Sequence, residues 1–251
     1  MNWTQSILGL LLILLAAGLL FVFSLPQGRT RSRTALRSIP SFQRLRRAIG
    51  LAVENGTRLH VSIGESSIVS PNNASALVGL STLERVGALS SVSDRPPVVT
   101  SGDGALAVLS RDTLRAAYRA TNNPELFDPT QARLAGPTPF SYVAGTLPVI
   151  QEERVSANIL IGNFGPEVAL LTEASERQNS FTMAASDAIS AQSVIYASAN
   201  EPLIGEELFA IPAYLQAGSA HQAGLRVQDV LRWVVAGAMI LTSILKILGI
   251  V

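Results

Sequence analysis

Ser101-Gly102-Asp103-Gly104 is the stretch of this chain best suited to small-molecule chemistry. It sits between a short strand pattern and a helical pattern. Glycines there let backbone N–H groups approach an anion at a helix N-terminus, which makes a nucleotide or another anion the candidate ligand. The stretch lacks the full dinucleotide spacing and the lysine of a phosphate loop, and Asp103 would repel a phosphate. A strand-to-helix turn capped by Asp103 is the plainer reading. Gly162-Asn163-Phe164-Gly165 offers a weaker version of the same idea. Glu206 and Glu207, with Glu201, could act as acid and base or hold a cation. Adjacent helical residues point about 100° apart, so the pair does not converge unaided. Acidic residues near a helix N-terminus are also favoured for their own sake. Arg111, Arg115 and Arg119 lie four apart and share one helical face. Like charges at that spacing repel, which an acidic surface of another subunit would relieve; a solvated face is the alternative.

Other chemistries find little support. His60 and His221 are the two histidines, without companions at metal-ligand spacing, so no metal site is expected. There is no cysteine, which removes disulfides and thiolate chemistry. No Gly-x-Ser-x-Gly elbow supports a serine hydrolase. No catalytic residue and no cofactor is assigned.

The elements that must position these residues begin and end with apolar stretches. Ile7–Leu25 is nineteen residues without charge, and Trp233–Val251 is nineteen residues interrupted by Lys246. A helix of that length spans roughly 28 Å, close to a bilayer's hydrocarbon core. Arg29, Arg31, Arg33, Arg37, Arg44, Arg46 and Arg47 follow the first stretch, and the first acidic residue is Glu54. This asymmetry places the N-terminus outside and the middle of the chain in the cytoplasm. These arginines suit anionic lipid headgroups. Lys246 can snorkel to the outer interface, and Trp233 suits the inner one. A cleaved signal peptide is the rival reading of the first stretch, but its n-region is uncharged and Pro-Gln-Gly-Arg is a poor cleavage site. A buried core helix or a partner-binding helix is the rival for the second.

Net charge is +1, with the basic residues crowded after the first stretch and an acidic excess later. The middle does not suit nucleic acid. Charged residues are 15% of the chain, and a middle rich in Ala, Ser and Gly solubilises a monomer poorly. Burial between subunits would resolve that, so a homo-oligomer is expected.

The middle alternates strand and helix patterns. Pro40 opens an amphipathic helix with Phe42, Leu45, Ile49 and Val53 on one side, which lies on the membrane or on its own domain. Arg58–Gly64 alternates as a strand, with His60 and Ser62 on its polar side. Ala76–Leu89 is helical, Pro96–Ser101 a strand, and a helix runs from Gly104 through about Ala120. Residues 122–139 read as a loop with one turn at Asp128–Leu134. Phe140–Ile150 reads as helix and Val155–Ile161 as strand. Val168–Glu173 stays open between helix and strand. Ser180–Ala185 and Ser193–Ala199 read as strands. Leu203–Leu215 reads as a helix broken by Pro212. The pattern predicts one Rossmann-like α/β domain with a mostly parallel sheet. The expected segments are a membrane helix over 1–27, a basic connector with its amphipathic helix over 28–53, a cytoplasmic domain over 54–225 and a membrane helix over 226–251.

Arg58–Gly64, Leu114–Tyr118, Ile161–Glu167, Leu203–Ala210 and Ala213–Leu215 together resemble a bacterial membrane-protein family filed as a domain of unknown function. The resemblance spans about residues 50–232 and implies a bacterial membrane protein without implying an activity. The chain is therefore expected to be a membrane-anchored, homo-oligomeric scaffold or membrane-organising protein. A ligand-binding or enzymatic domain using the Gly102–Gly104 turn is the alternative. A pore or transporter subunit is a third reading, for which Thr242, Ser243 and Lys246 are the polar residues of the second stretch.

Overall fold

A computed structural model describes residues 3–24, 37–70 and 73–248. The chain divides into two compact units, one of Met1–Leu36 with Gly218–Val251 and one of Arg37–Ala217. Helix α1 (Trp3–Ser24) belongs to the first. The second unit holds α2 (Pro40–Glu54), α3 (Ala74–Ser90), α4 (Gly104–Ala120), α5 (Pro139–Glu152), α6 (Val168–Arg177), α7 (Ile189–Ser198) and α8 (Glu207–Tyr214). Helix α9 (Ser219–Ile247) returns to the first unit.

The second unit is built on strands β1 (Arg58–Gly64), β2 (Val98–Ser101), β3 (Ala132–Leu134), β4 (Val155–Asn163), β5 (Phe181–Ser186) and β6 (Glu201–Leu203). They form one sheet in the order β3-β2-β1-β4-β5-β6, and every neighbouring pair is parallel. This is a doubly wound α/β arrangement, in which the winding reverses between β1 and β4. Parallel strands need helical crossovers, which cover both faces of the sheet. On one face Leu59, Val61 and Ile63 of β1 and Ala157, Ile159 and Ile161 of β4 pack with Leu45 of α2, Leu83 of α3, Leu114 of α4 and Ile211 of α8. On the other, Leu160 and Ala184 pack with Tyr142 of α5, Leu171 of α6 and Ile195 of α7.

The α/β class and the parallel sheet agree with the sequence reading, and several elements differ. Residues 193–199, read as a strand, lie mostly in α7; Ala191 and Ile195 are its two buried anchors, four apart as a helix requires. Ser180–Ala185 does form β5. Val168–Glu173 is helical. The loop before α5 hides β3, and β6 precedes α8. Both strands are three residues at the sheet's two edges, too short to show a period. Pro212 sits within α8, whose last turn continues to Tyr214. The amphipathic helix α2 packs on its own domain, burying Phe42, Leu45, Ile49 and Ala52. It belongs to the α/β unit, which starts at Arg37.

In the first unit α1 and α9 pack against each other. Ala220–Ile247 is long and apolar enough to cross a membrane and is unburied; Gly9–Ser24 is a shorter apolar helix. Among the described residues, α9 is the one helix that meets that length.

Close packing of α3 on the sheet depends on Gly79. A Cβ there would meet the Ile63 Cγ2 at 2.5 Å and the Ile161 carbonyl oxygen at 3.3 Å. Gly50 of α2 has open space around the same position. Gly79→Ala should cost about 1–3 kcal/mol, because rigid core atoms must move. Gly50→Ala should stabilise by roughly 0.5–1 kcal/mol through helix propensity. Thermal unfolding of the purified chain checks both, and the two shifts should have opposite sign.

Candidate functional site

In open parallel sheets ligands bind beyond the C-terminal ends of the strands, where the winding reverses. Here that position is the C-terminal ends of β1 and β4. Gly64, at φ +69°, ends β1 and approaches so closely that a Cβ would collide with the Asn163 backbone. The Gly102 N–H donates to the Gly64 carbonyl at 2.8 Å, and the Glu65 N–H to the Asn163 carbonyl at 2.9 Å. The Asn163 N–H donates to Ser66 Oγ at 2.8 Å, and that hydroxyl also meets Ser75 Oγ at 3.1 Å. The Gly102, Glu65 and Asn163 amides are thus committed to the protein.

The charge at this edge is negative. Glu65 stands beside Gly102, whose Cβ position is 3.0 Å from the Glu65 Cα. Burial, followed by the nearby charge of Glu167, raises the Glu65 carboxyl above the usual range. Glu167 Oε1 accepts from the Gly165 N–H at 2.6 Å, and Asp187 Oδ1 accepts from the Asn163 side-chain amide at 2.6 Å. Asp103 caps α4 by accepting from the Leu106 N–H at 2.9 Å. Ser101 Oγ donates to the Asp103 carbonyl at 3.4 Å. Gly104 has open space around it. The Gly102–Gly104 turn therefore works as a capped strand-to-helix turn in an acidic setting. Glu206 and Glu207 stand at the start of α8, beyond β6. Four strand spacings separate β2 from β6, roughly 19 Å. The structure does not bring the two candidate groups into one site.

Beneath these strand ends lies a polar cluster whose partners the sequence does not reveal. His60 and Ser62 project from β1 on the face opposite Val61 and are fully buried. The His60 Nδ1 meets Asn158 Oδ1 at 2.9 Å, and Asn158 Nδ2 donates to Ser175 Oγ at 2.9 Å. With Nδ1 donating, Nε2 accepts from the Thr100 hydroxyl at 2.9 Å. The Tyr142 hydroxyl lies 3.2 Å from Thr100 Oγ1, accepts from the Gly64 N–H at 3.2 Å and pairs with the Ser62 hydroxyl. Strands β1, β2 and β4 are thereby tied to α5 and α6 through side chains as well as backbone. Burial pulls His60 down to about 4, so its imidazole is neutral, and pushes the Tyr142 hydroxyl up. The signal present in sequence is the run of polar residues at alternate positions of β1, which normally marks a solvent face.

The basic residues divide. Arg29, Arg31 and Arg33 lie outside the described residues. The Arg37 carbonyl accepts from the Tyr214 hydroxyl at 2.6 Å. Arg44 pairs with Glu201, with Nη2 2.7 Å from Oε2, and Arg46 donates to the Tyr214 carbonyl at 2.6 Å. Phe42 stacks on the Tyr214 ring at 4.5 Å. Arg44 and Arg46 thus fasten α2 to β6 and α8 within the domain, while Arg47 is exposed. Arg111, Arg115 and Arg119 line a half-open groove of about 520 Å³ with Asp112 and with Pro124, Phe127 and Pro129 of the following loop. All three arginines are exposed and carry no ion pair among the described residues.

The fold and these sites define a doubly wound parallel α/β domain accompanied by an apolar helical unit. The chain belongs to the family described as a domain of unknown function (DUF6754), whose model matches residues 1–251. No curated protein and no solved structure matches the chain.

The cluster makes the fold acid-sensitive. Unfolded His60 titrates near 6.5, and folded His60 near 4. The unfolded state therefore binds more protons between those values, so stability is full above pH 6.5 and falls as the pH drops towards 4. The loss should reach about 3 kcal/mol, at about 1.36 kcal/mol per pKa unit. His60→Gln should flatten this dependence. Unfolding temperatures of both proteins at pH 7.5 and 5 measure the difference.

Proposed function

We propose that this protein is a membrane-anchored homo-oligomeric scaffold, or membrane-organising protein, without catalytic chemistry. In this reading α1 and α9 both cross the bilayer, the N-terminus is outside, and the Arg37–Ala217 unit is cytoplasmic. Unburied, apolar α9 supports anchorage, and the apolar Gly9–Ser24 helix packed on it supports a second span. Arg29, Arg31 and Arg33 next to that span support the orientation, and anionic headgroups are their partners.

The observation that carries the assembly is the outer surface of the α5–α7 layer. Phe140 is 74% exposed, Ile189 82% and Tyr196 73%. Ile189 and Tyr196 are seven residues apart on α7 and share one face. Large apolar side chains on one layer mark a contact surface. Anchored domains also meet at a raised effective concentration, because they move in two dimensions.

The mass of the detergent-solubilised particle tests this reading. A defined multiple of 26.5 kDa is expected. The double variant Ile189→Glu, Tyr196→Glu should fall to a smaller species while keeping its unfolding temperature. A monodisperse monomer of the native sequence contradicts the assembly.

A further inference from the structure

We propose that the groove between α4 and the 121–131 loop docks an extended acidic segment of another protein, with acidic and apolar residues alternating. One wall carries Arg111, Arg115 and Arg119; Pro124, Phe127 and Pro129 also line the groove. Residues four apart on a helix rise about 6 Å, so the three arginines form a row whose Cα atoms span about 12 Å along the helix. Alternate residues of an extended strand are about 6.6–6.8 Å apart. Three carboxylates on one side of a strand therefore match the row to within the reach of flexible arginine side chains. The side chains between them point the other way, towards proline and a half-buried phenylalanine. Phe127 is held in place by Tyr118, with ring centroids 6.1 Å apart.

The charge pattern selects this occupant over others. The Arg37–Ala217 unit holds 13 arginines against 17 acidic residues, a net charge of −4. Three clustered arginines with one aspartate are a local basic island in an acidic domain. Such an island suits a short acidic segment, whereas nucleic acid or a charged bilayer would meet the surrounding negative field. The row is linear rather than convergent, so a single phosphate would engage it poorly. A second copy of this chain is a poor match too. No two acidic residues of the sequence are two or four positions apart, so no strand or helix of its own presents carboxylates at the required repeat. This inference goes beyond the scaffold reading, since it gives the scaffold a partner to hold.

The test is fluorescence anisotropy of the full chain in detergent with a labelled Glu-Val-Glu-Pro-Glu peptide flanked by Gly-Ser. Saturable binding is expected, weakened at least tenfold by the triple variant Arg111→Ala, Arg115→Ala, Arg119→Ala and absent for the Gln-Val-Gln-Pro-Gln peptide. The triple variant Arg111→Glu, Arg115→Glu, Arg119→Glu should instead bind a Lys-Val-Lys-Pro-Lys peptide. Equal affinity for the alanine variant or for the glutamine peptide overturns the proposal. So does binding of inorganic tripolyphosphate or of anionic lipid vesicles, lost in the alanine variant, where the glutamate peptide does not bind. Blocking of the groove by a neighbouring copy, relieved only on dissociation of the particle, overturns it in favour of a subunit contact. Particle mass, measured separately, tells this failure from failure of the scaffold itself.

Discussion

Burial of both faces of β1 and β4 is the constraint on which the α/β unit depends. A parallel sheet needs helices on both sides, and each side must then find partners for whatever the strands present. One face presents Leu59, Val61, Ile63, Ile159 and Ile161, which need only packing. The other presents His60, Ser62, Thr100 and Asn158, which cannot be left unpaired in a dry interior. Tyr142 and Ser175 supply the missing partners, so α5 and α6 are fixed by hydrogen bonds where the other layer is fixed by shape. A satisfied buried network tolerates little displacement, which ties the relative heights of three strands to two helices.

That arrangement also decides what the ends of the strands can do. Gly64, Gly102 and Gly162 bring the chain together above the network, and the amides there bond to carbonyls and to Ser66. Carboxylates surround this closed edge. A doubly wound fold thus commits three amides at its reversal point to its own backbone and to Ser66. Elsewhere the surface is more open: apolar side chains on the α5–α7 layer, and an arginine row on α4.

Much of the fold is legible in sequence where a pattern lasts long enough. β1 and β4 alternate over several residues, α3 and α4 repeat at helical spacing, and a strand–helix–strand–helix order implies parallel pairing. β3 and β6 escape because three residues carry no period. α7 was masked by Val194, Ile195 and Tyr196, whose types favour strands although the spacing of its buried anchors favours a helix. The site was half legible. The cap at Asp103 and the common face of Arg111, Arg115 and Arg119 follow from spacing alone. The network around His60 does not, because its members come from five elements far apart in sequence. Nor do the roles of Arg44 and Arg46: seven arginines after an apolar stretch read alike, yet Glu201 and Tyr214, more than 150 residues later, claim these two.

The most direct test of the central claim is site-directed labelling, which the absence of native cysteine makes clean. Single variants Asn2→Cys, Glu125→Cys and Val251→Cys would be treated in intact cells with a membrane-impermeant maleimide. An anchored chain with its α/β unit inside predicts labelling at positions 2 and 251, and at 125 only after permeabilisation. Labelling of Glu125→Cys in intact cells, or recovery of the chain away from the membrane fraction, would contradict it.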